Sequence, residues 1–299
     1  MLVGYDREAF LLQKFGGISK YFSSLIHCFQ EDSNLEIQPI FTFNRTDNVH
    51  IRKVGNFENA RKQIRVRGGV STGLTLGPIR ALTQTWSGGL TPRKKINLLH
   101  ATFYRPTFLE RSQANKMAVT IHDFIPEKLG WTGVRNPHIG KKTLTKKSDL
   151  IICVSKYTAN ELFEHYQIDD DRVKVIHHGV NNFIYEKEFS GLKKLDRPTV
   201  LYVGHRFGYK NFNILPQAIR IVKKAIPDVQ LISTGPILEN SEIASLNKLL
   251  GSDNWKHLNN LSEHELSVLY AQSQLHCVTS KMEGFGMTTL ESLAMGTPV

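Results

Sequence analysis

The stretch Thr199-Val-Leu-Tyr-Val-Gly-His-Arg-Phe-Gly-Tyr-Lys-Asn211 runs from five apolar or β-branched residues into Gly204. It then presents Arg206 and Lys210, four positions apart, before an apolar helical pattern begins at Phe212. A short unbroken apolar run fits a strand buried on both faces, and such strands belong to parallel sheets covered by helices. The same order of strand and helix repeats on either side. Strand patterns occupy Leu35–Phe43, Ile96–Ala101, Met117–Ile121, Leu150–Val154, Val173–Ile176, Val229–Ser233 and Leu275–Thr279. Helical patterns occupy Ile18–Phe29, Lys156–His165, Phe212–Ala225, Glu239–Leu250 and Glu263–Ala271. This alternation predicts an α/β protein with helices on both faces of its sheets.

A length of 299 residues leaves room for two such domains, each with its own core. The segment Phe183–Pro198, with its charges, glycine and proline, interrupts the alternation, so the boundary is expected between residues 185 and 186. Residues Asp47–Lys95, rich in Arg, Gly, Ser and Thr, read as a long mobile loop with a helix inside it. At the other end, Met295-Gly-Thr-Pro-Val299 has the pattern of a helix C-terminus, a turn and the first residue of another strand, so the second domain is expected to be incomplete.

The composition, 40% apolar and 22% charged, is that of an ordinary globular chain. No apolar run approaches the roughly 18 residues of a membrane span, and Asp6, Arg7 and Glu8 interrupt any signal-like core, so a cytoplasmic location is expected. Cys28, Cys153 and Cys277 are odd in number and far apart, which reads as buried reduced thiols. The net charge of +11 is concentrated: residues 45–147 hold 20 Lys and Arg against 5 Asp and Glu. That field favours anionic partners: nucleic acid, an anionic membrane face or a phosphate-bearing substrate.

In open α/β sheets ligands gather at the carboxyl ends of the strands, and four stretches there carry chemistry. Gly16 and Gly17 precede a helix, whose unpaired amides and small residues would let the backbone approach an anion. His122 ends a strand and could donate to developing charge, with Asp123 able to orient it. After Gly204, the planar fork of Arg206 could grip phosphate oxygens while Lys210 adds a point charge. Last, Glu283-Gly-Phe-Gly-Met-Thr-Thr-Leu-Glu291 sets two acids eight positions apart around a glycine turn that opens a helix. Amides of Phe285, Gly286, Met287 and Thr288 would bind a diphosphate, and ionised carboxylates can each accept hydrogen bonds from vicinal hydroxyls. A hexose at Glu283 and a ribose at Glu291 suit a sugar nucleotide.

Taken together these residues resemble the family 4 retaining glycosyltransferases of GT-B architecture, two Rossmann-like parallel-sheet domains facing a cleft. The likeness runs from Leu11 to the last residue. Glu283-x7-Glu291 matches the family's paired acids, Arg206 and Lys210 its donor-diphosphate cations, Gly16-Gly17 its glycine loop over the phosphate, and His122 its histidine at the donor sugar. Lesser matches are Val154-Ser155 and Val175-Ile-His-His-Gly-Val180, where His178 replaces the usual asparagine. The resemblance implies residues 1–185 as the acceptor-side domain and 186–299 as the nucleotide-sugar domain. It implies catalytic roles for His122, Arg206, Lys210 and Glu283, and donor binding by Gly16, Gly17, Gly204, Phe285, Gly286, Met287, Thr288 and Glu291. The resemblance further implies that a mannose-like hexose moves to a saccharide or lipid-linked acceptor in polysaccharide synthesis, with a nucleotide sugar as co-substrate, no cofactor and no metal, at a cytoplasmic location peripheral to the inner membrane face. Asp169-Asp-Asp171 satisfies the Asp-x-Asp pattern of metal-dependent transferases but lies apart from the other motifs. Two alternatives stay open: a catalytically idle GT-B fragment, and a basic nucleic-acid-binding protein, which would show steeply salt-dependent binding and no role for Glu283.

Overall fold

The computed structural model describes residues 1–41, 43, 46–55, 96–104, 114–132, 136, 138–168, 170–180 and 195–299. The chain divides into two compact units, Met1–His177 and His178–Val299. The boundary expected at 185/186 lies among residues 181–194, outside the described residues, as does most of the loop expected over 47–95.

In the first unit six parallel strands stand in the order β2-β1-β3-β4-β5-β6, with β1 Leu2–Tyr5, β2 Gln38–Phe41, β3 Ile96–Ala101, β4 Ala114–Ile121, β5 Leu150–Cys153 and β6 Val173–Val175. Between them run α1 Glu8–Leu12, α2 Gly17–Glu31, α3 Ile125–Lys128, α4 Lys141–Lys147 and α5 Lys156–His165. Helix α2 buries Ser19, Phe22, Ser23 and Ile26, the i, i+3, i+4, i+7 stripe of an amphipathic helix. Cys28 falls off that stripe and is exposed, unlike the buried thiol expected. Cys153, by contrast, is buried on β5, and burial pushes its thiol up to about 12. Tyr5, Phe10, Phe22, Val119, Ile121 and Ile151 centre the core.

The second unit holds four parallel strands in the order β10-β7-β8-β9, with β7 Thr199–Val203, β8 Gln230–Thr234, β9 Trp255–Leu258 and β10 Leu275–His276. Its helices are α6 Ile214–Val222, α7 Asn240–Leu250, α8 Glu263–Gln272 and α9 Met287–Ala294. Helices α7 and α8 each start with a capping box, Glu239 with Glu242 and Ser262 with Glu265, in which backbone amides and side-chain oxygens satisfy one another.

Strands β1 and β9 were not among the sequence patterns. The first is four residues long, and its Gly4 is held small because a β-carbon there would sit 2.9 Å from Ile96 Cδ1. The second, Trp-Lys-His-Leu, is a half-exposed edge with too few apolar residues to stand out. Helix α3 contains Pro126, which reads as a breaker but sits in the first turn, where the missing N–H has no intrahelical partner anyway. Beyond His276, the Cys277 amide continues the bonding to β7, donating to Leu201 O. Residues 277–279, expected as strand, instead turn toward the loop after β7.

Candidate functional site

Strand order locates the sites. In the second sheet the chain moves from β7 to β8 to β9 on one side and returns with β10 on the other, so the topological switch lies between β7 and β10. Loops at the carboxyl ends of strands flanking such a reversal diverge and leave a crevice, where ligands of open α/β sheets bind. Those two loops carry Gly204 to Asn211 and Cys277 to Gly286.

They are stitched together. Thr279 Oγ1 donates to Lys210 O at 2.7 Å, and the Lys281 amide donates to Tyr209 O at 2.8 Å. Lys210 Nζ then meets Glu283 Oε1 at 2.5 Å. Their side chains keep 22% and 31% of their exposure, so this pair borders water. Gly286 precedes α9 with φ +87°, a left-handed backbone that favours glycine, and Phe285 to Thr288 are partly exposed. Glu291 lies one turn into α9, buried, and accepts from Tyr270 Oη at 3.3 Å. Burial and the neighbouring Glu291 carboxylate push the Tyr270 phenol up, so it remains a donor at neutral pH.

Arg206 points elsewhere. Its guanidinium is buried and donates from Nε to Glu242 Oε1 at 2.7 Å, from Nη2 to Glu242 Oε2 at 3.1 Å and Ile237 O at 3.2 Å, and from Nη1 to Pro236 O at 2.9 Å. The hydrogen bond from Arg206 holds the Glu242 carboxyl below its ordinary value. Lys210, Glu283 and the start of α9 thus meet at one place, with Glu291 on the same helix, while Arg206 and Lys210 diverge.

In the first sheet the reversal lies between β1 and β3. Buried Asp6 spans it, accepting from the Thr102 amide at 2.9 Å, from Thr102 Oγ1 at 2.5 Å and from the Glu8 amide at 2.8 Å. Gly16 and Gly17 open α2, where Gln13 Oε1 accepts from the Ser19 amide at 3.1 Å, so a side chain already occupies part of that helix end. His122 follows β4. Its amide donates to Tyr104 Oη at 2.9 Å and its ring packs edge-on to Tyr21 of α2 at 5.4 Å. Asp123 accepts from the Ile125 amide at 3.0 Å and lies 3.9 Å from His138 Nδ1.

Sequence reasoning missed what holds His122's loop. Lys141 is fully buried, its ammonium donating to Asp123 O at 2.6 Å and pairing with Glu127 at 2.9 Å, 4.1 Å from the centre of the Phe124 ring. Burial raises the Glu127 carboxyl, but His138 and Lys141 outweigh it and hold it at about 2. Lys141 stands in a run of surface-like lysines, and no local signal separates it from them. Glu242 and Tyr270 were missed too, because a capping acid and a helical tyrosine already look accounted for. Among the described residues, no group of three His, Cys, Asp or Glu could hold a metal ion, and no helix is long and apolar enough to cross a membrane.

Residues 15–182 match the family described as Glycosyltransferase Family 4, and residues 184–299 match Glycosyl transferases group 1. An uncharacterized glycosyltransferase of Haemophilus influenzae is 31% identical over 36% of this chain and 30% of its own length. A second, from Methanocaldococcus jannaschii, is 32% identical over 53% of this chain and 41% of its own. The D-inositol 3-phosphate glycosyltransferase of Segniliparus rotundus is 24% identical over 54% and 38%. The chain thus spans under half the length of these curated relatives. Among solved structures, the sucrose-phosphate synthase of Thermosynechococcus elongatus superimposes with a TM-score of 0.68 at 16% identity, covering 100% of this chain and 80% of its own. A glycosyltransferase of Rickettsia africae gives 0.62 at 15%, covering 99% and 77%. At such identities the likeness speaks for the fold.

Proposed function

Because this chain belongs to Glycosyltransferase Family 4 and has the GT-B fold, we propose that it moves a hexose from a nucleoside-diphosphate sugar to a saccharide or lipid-linked acceptor, retaining anomeric configuration and using no metal. The observation that supports this reading most is the Lys210–Glu283 pair at the switch between β7 and β10, beside the N-terminus of α9.

A partly exposed ion pair is worth about 0–1 kcal/mol, so a ligand can exchange it at little cost. The diphosphate takes the Lys210 ammonium and the first amides of α9. Glu283, released, accepts from hexose hydroxyls, and Glu291 accepts from those of the ribose. Departure of the diphosphate concentrates negative charge on its oxygens, and fixed positive groups aimed there lower the barrier; losing one such donor costs roughly 3 to 4 kcal/mol. His122 is assigned to the donor sugar, and Gly16, Gly17 and Gly204 to close backbone approach, from their positions in the family pattern.

The donor is proposed as mannose on guanosine diphosphate, again from the family resemblance. The acceptor is proposed to be anionic. The basic balance of residues 45–147 favours one, such as a lipid-linked pyrophosphate at the inner membrane face, and the Segniliparus relative carries D-inositol 3-phosphate in its name.

Incubation with guanosine and uridine diphosphate sugars plus saccharide acceptors, followed by NMR of the anomeric proton, tests the reading. A glycoside with the donor's configuration is expected; an inverted product contradicts the mechanism.

A further inference from the structure

Four of the five N–H groups of Arg206 are engaged within the second unit, two with Glu242 and two with the carbonyls of Pro236 and Ile237. A guanidinium so engaged, buried and charge-neutralised, would have to break a bidentate ion pair before gripping a phosphate. Direct grip on the diphosphate, the role that sequence spacing gives this residue, therefore conflicts with its environment.

What Arg206 holds is the loop after β8. Residues 235–239 lead from that strand to α7, and Glu242 also accepts from the Glu239 amide at 2.9 Å, closing the capping box. His257 of β9 adds a third tie: its Nδ1 lies 2.8 Å from Ser233 Oγ and its Nε2 3.0 Å from Pro236 O. On the opposite side, Gly235 rests against the loop after β7. A β-carbon on Gly235 would fall 2.3 Å from Gly204 O, and the Gly204 amide donates to Thr234 O. The backbone that leads to Lys210 thus leans on the backbone that Arg206 immobilises.

Resting on the donor site proposed above, we infer that Arg206 is a positioning residue: with Glu242 it fixes the 235–239 loop as a wall of the nucleotide site and leaves the diphosphate to Lys210. The pair works as one unit, so removing either member has the same consequence for the nucleotide, and removing both is no worse. A direct phosphate ligand would behave otherwise, because losing Glu242 would free its guanidinium for the anion.

Calorimetric titration of Arg206→Ala, Glu242→Ala, Lys210→Met and the paired Arg206→Leu/Glu242→Leu with inorganic pyrophosphate, uridine diphosphate and guanosine diphosphate separates the two. The paired variant keeps the test open if a single change leaves a buried charge too costly to fold, since exchanging both partners for apolar groups is tolerated. The wild-type chain is expected to bind pyrophosphate and at least one nucleotide. Each change at 206 or 242 weakens that nucleotide by about tenfold, within the range of couplings carried by packed networks, and the paired variant loses no more. Pyrophosphate affinity falls only in Lys210→Met. If Arg206→Ala or the paired variant loses pyrophosphate affinity while Glu242→Ala keeps or gains it, the positioning role is overturned and the donor site survives. If wild type binds no probe, or Lys210→Met binds all as wild type does, the donor site itself fails and this inference with it.

Discussion

Two cations leave the loop after β7 four residues apart, and each meets one carboxylate. Arg206 and Glu242 retain 1% and 16% side-chain exposure, whereas Lys210 and Glu283 retain 22% and 31%. Arg206 spends four donors inside the protein, while Lys210 Nζ makes one hydrogen bond, to a carboxylate that borders water. Both are pairs of a cation with a glutamate; burial and the number of engaged donors set them apart. A buried pair cannot open without stranding a charge, whereas a bordering pair can trade its partner for a ligand.

The largest expected effect lies on the buried side. Arg206→Ala leaves Glu242 without its partner, and urea unfolding should show a loss of about 3 to 5 kcal/mol. A loss below 1 kcal/mol would put the two pairs on the same footing. Next comes chemistry: Lys210→Met should lower turnover of the donor by about 10²-fold or more, while its unfolding midpoint stays near that of wild type because a bordering pair contributes about 0–1 kcal/mol. Equal losses of stability and turnover would erase the distinction.

Acid extends the comparison to the first unit, where buried groups should again dominate. Burial lowers His100 to about 4. Between that value and about 6.5 the unfolded chain binds a proton that the folded chain refuses, so stability falls as pH falls, by roughly 3 kcal/mol across the window. Glu127, held at about 2 against an ordinary 4.5, adds a second loss as pH drops below its ordinary value. Denaturation midpoints at pH 7, 5.5 and 4.5 should decline in that order, and the decline above pH 4.5 should shrink in His100→Phe. A flat profile would contradict the burial argument. The smallest effect expected is at Glu291, where replacement by Ala should weaken nucleotide binding by about tenfold through lost ribose contacts; unchanged affinity would remove that assignment.

The fold was legible because buried parallel strands are apolar runs, and Thr199–Val203 and Ile96–Ala101 stand as the sequence draws them. Strands β1 and β9 were hidden by brevity and polarity. The meeting of Lys210 with Glu283, 73 positions on, was legible as two motifs at strand ends, since strand order alone brings those ends together. The fate of Arg206 was not, because nothing in Gly-His-Arg says which way a long side chain turns. That direction is fixed by Glu242, whose own place in a capping box hides its second task. Lys141 teaches the same lesson: a cation in a basic run is taken for surface until packing against Phe124 and Glu127 shows it buried.

Hydrogen–deuterium exchange of the chain, with and without guanosine or uridine diphosphate, tests the central claim most directly. Protection should appear in residues 204–211 and 281–291, the two loops joined by Lys210 and Glu283. Protection confined to other segments, while either nucleotide is bound, would contradict it.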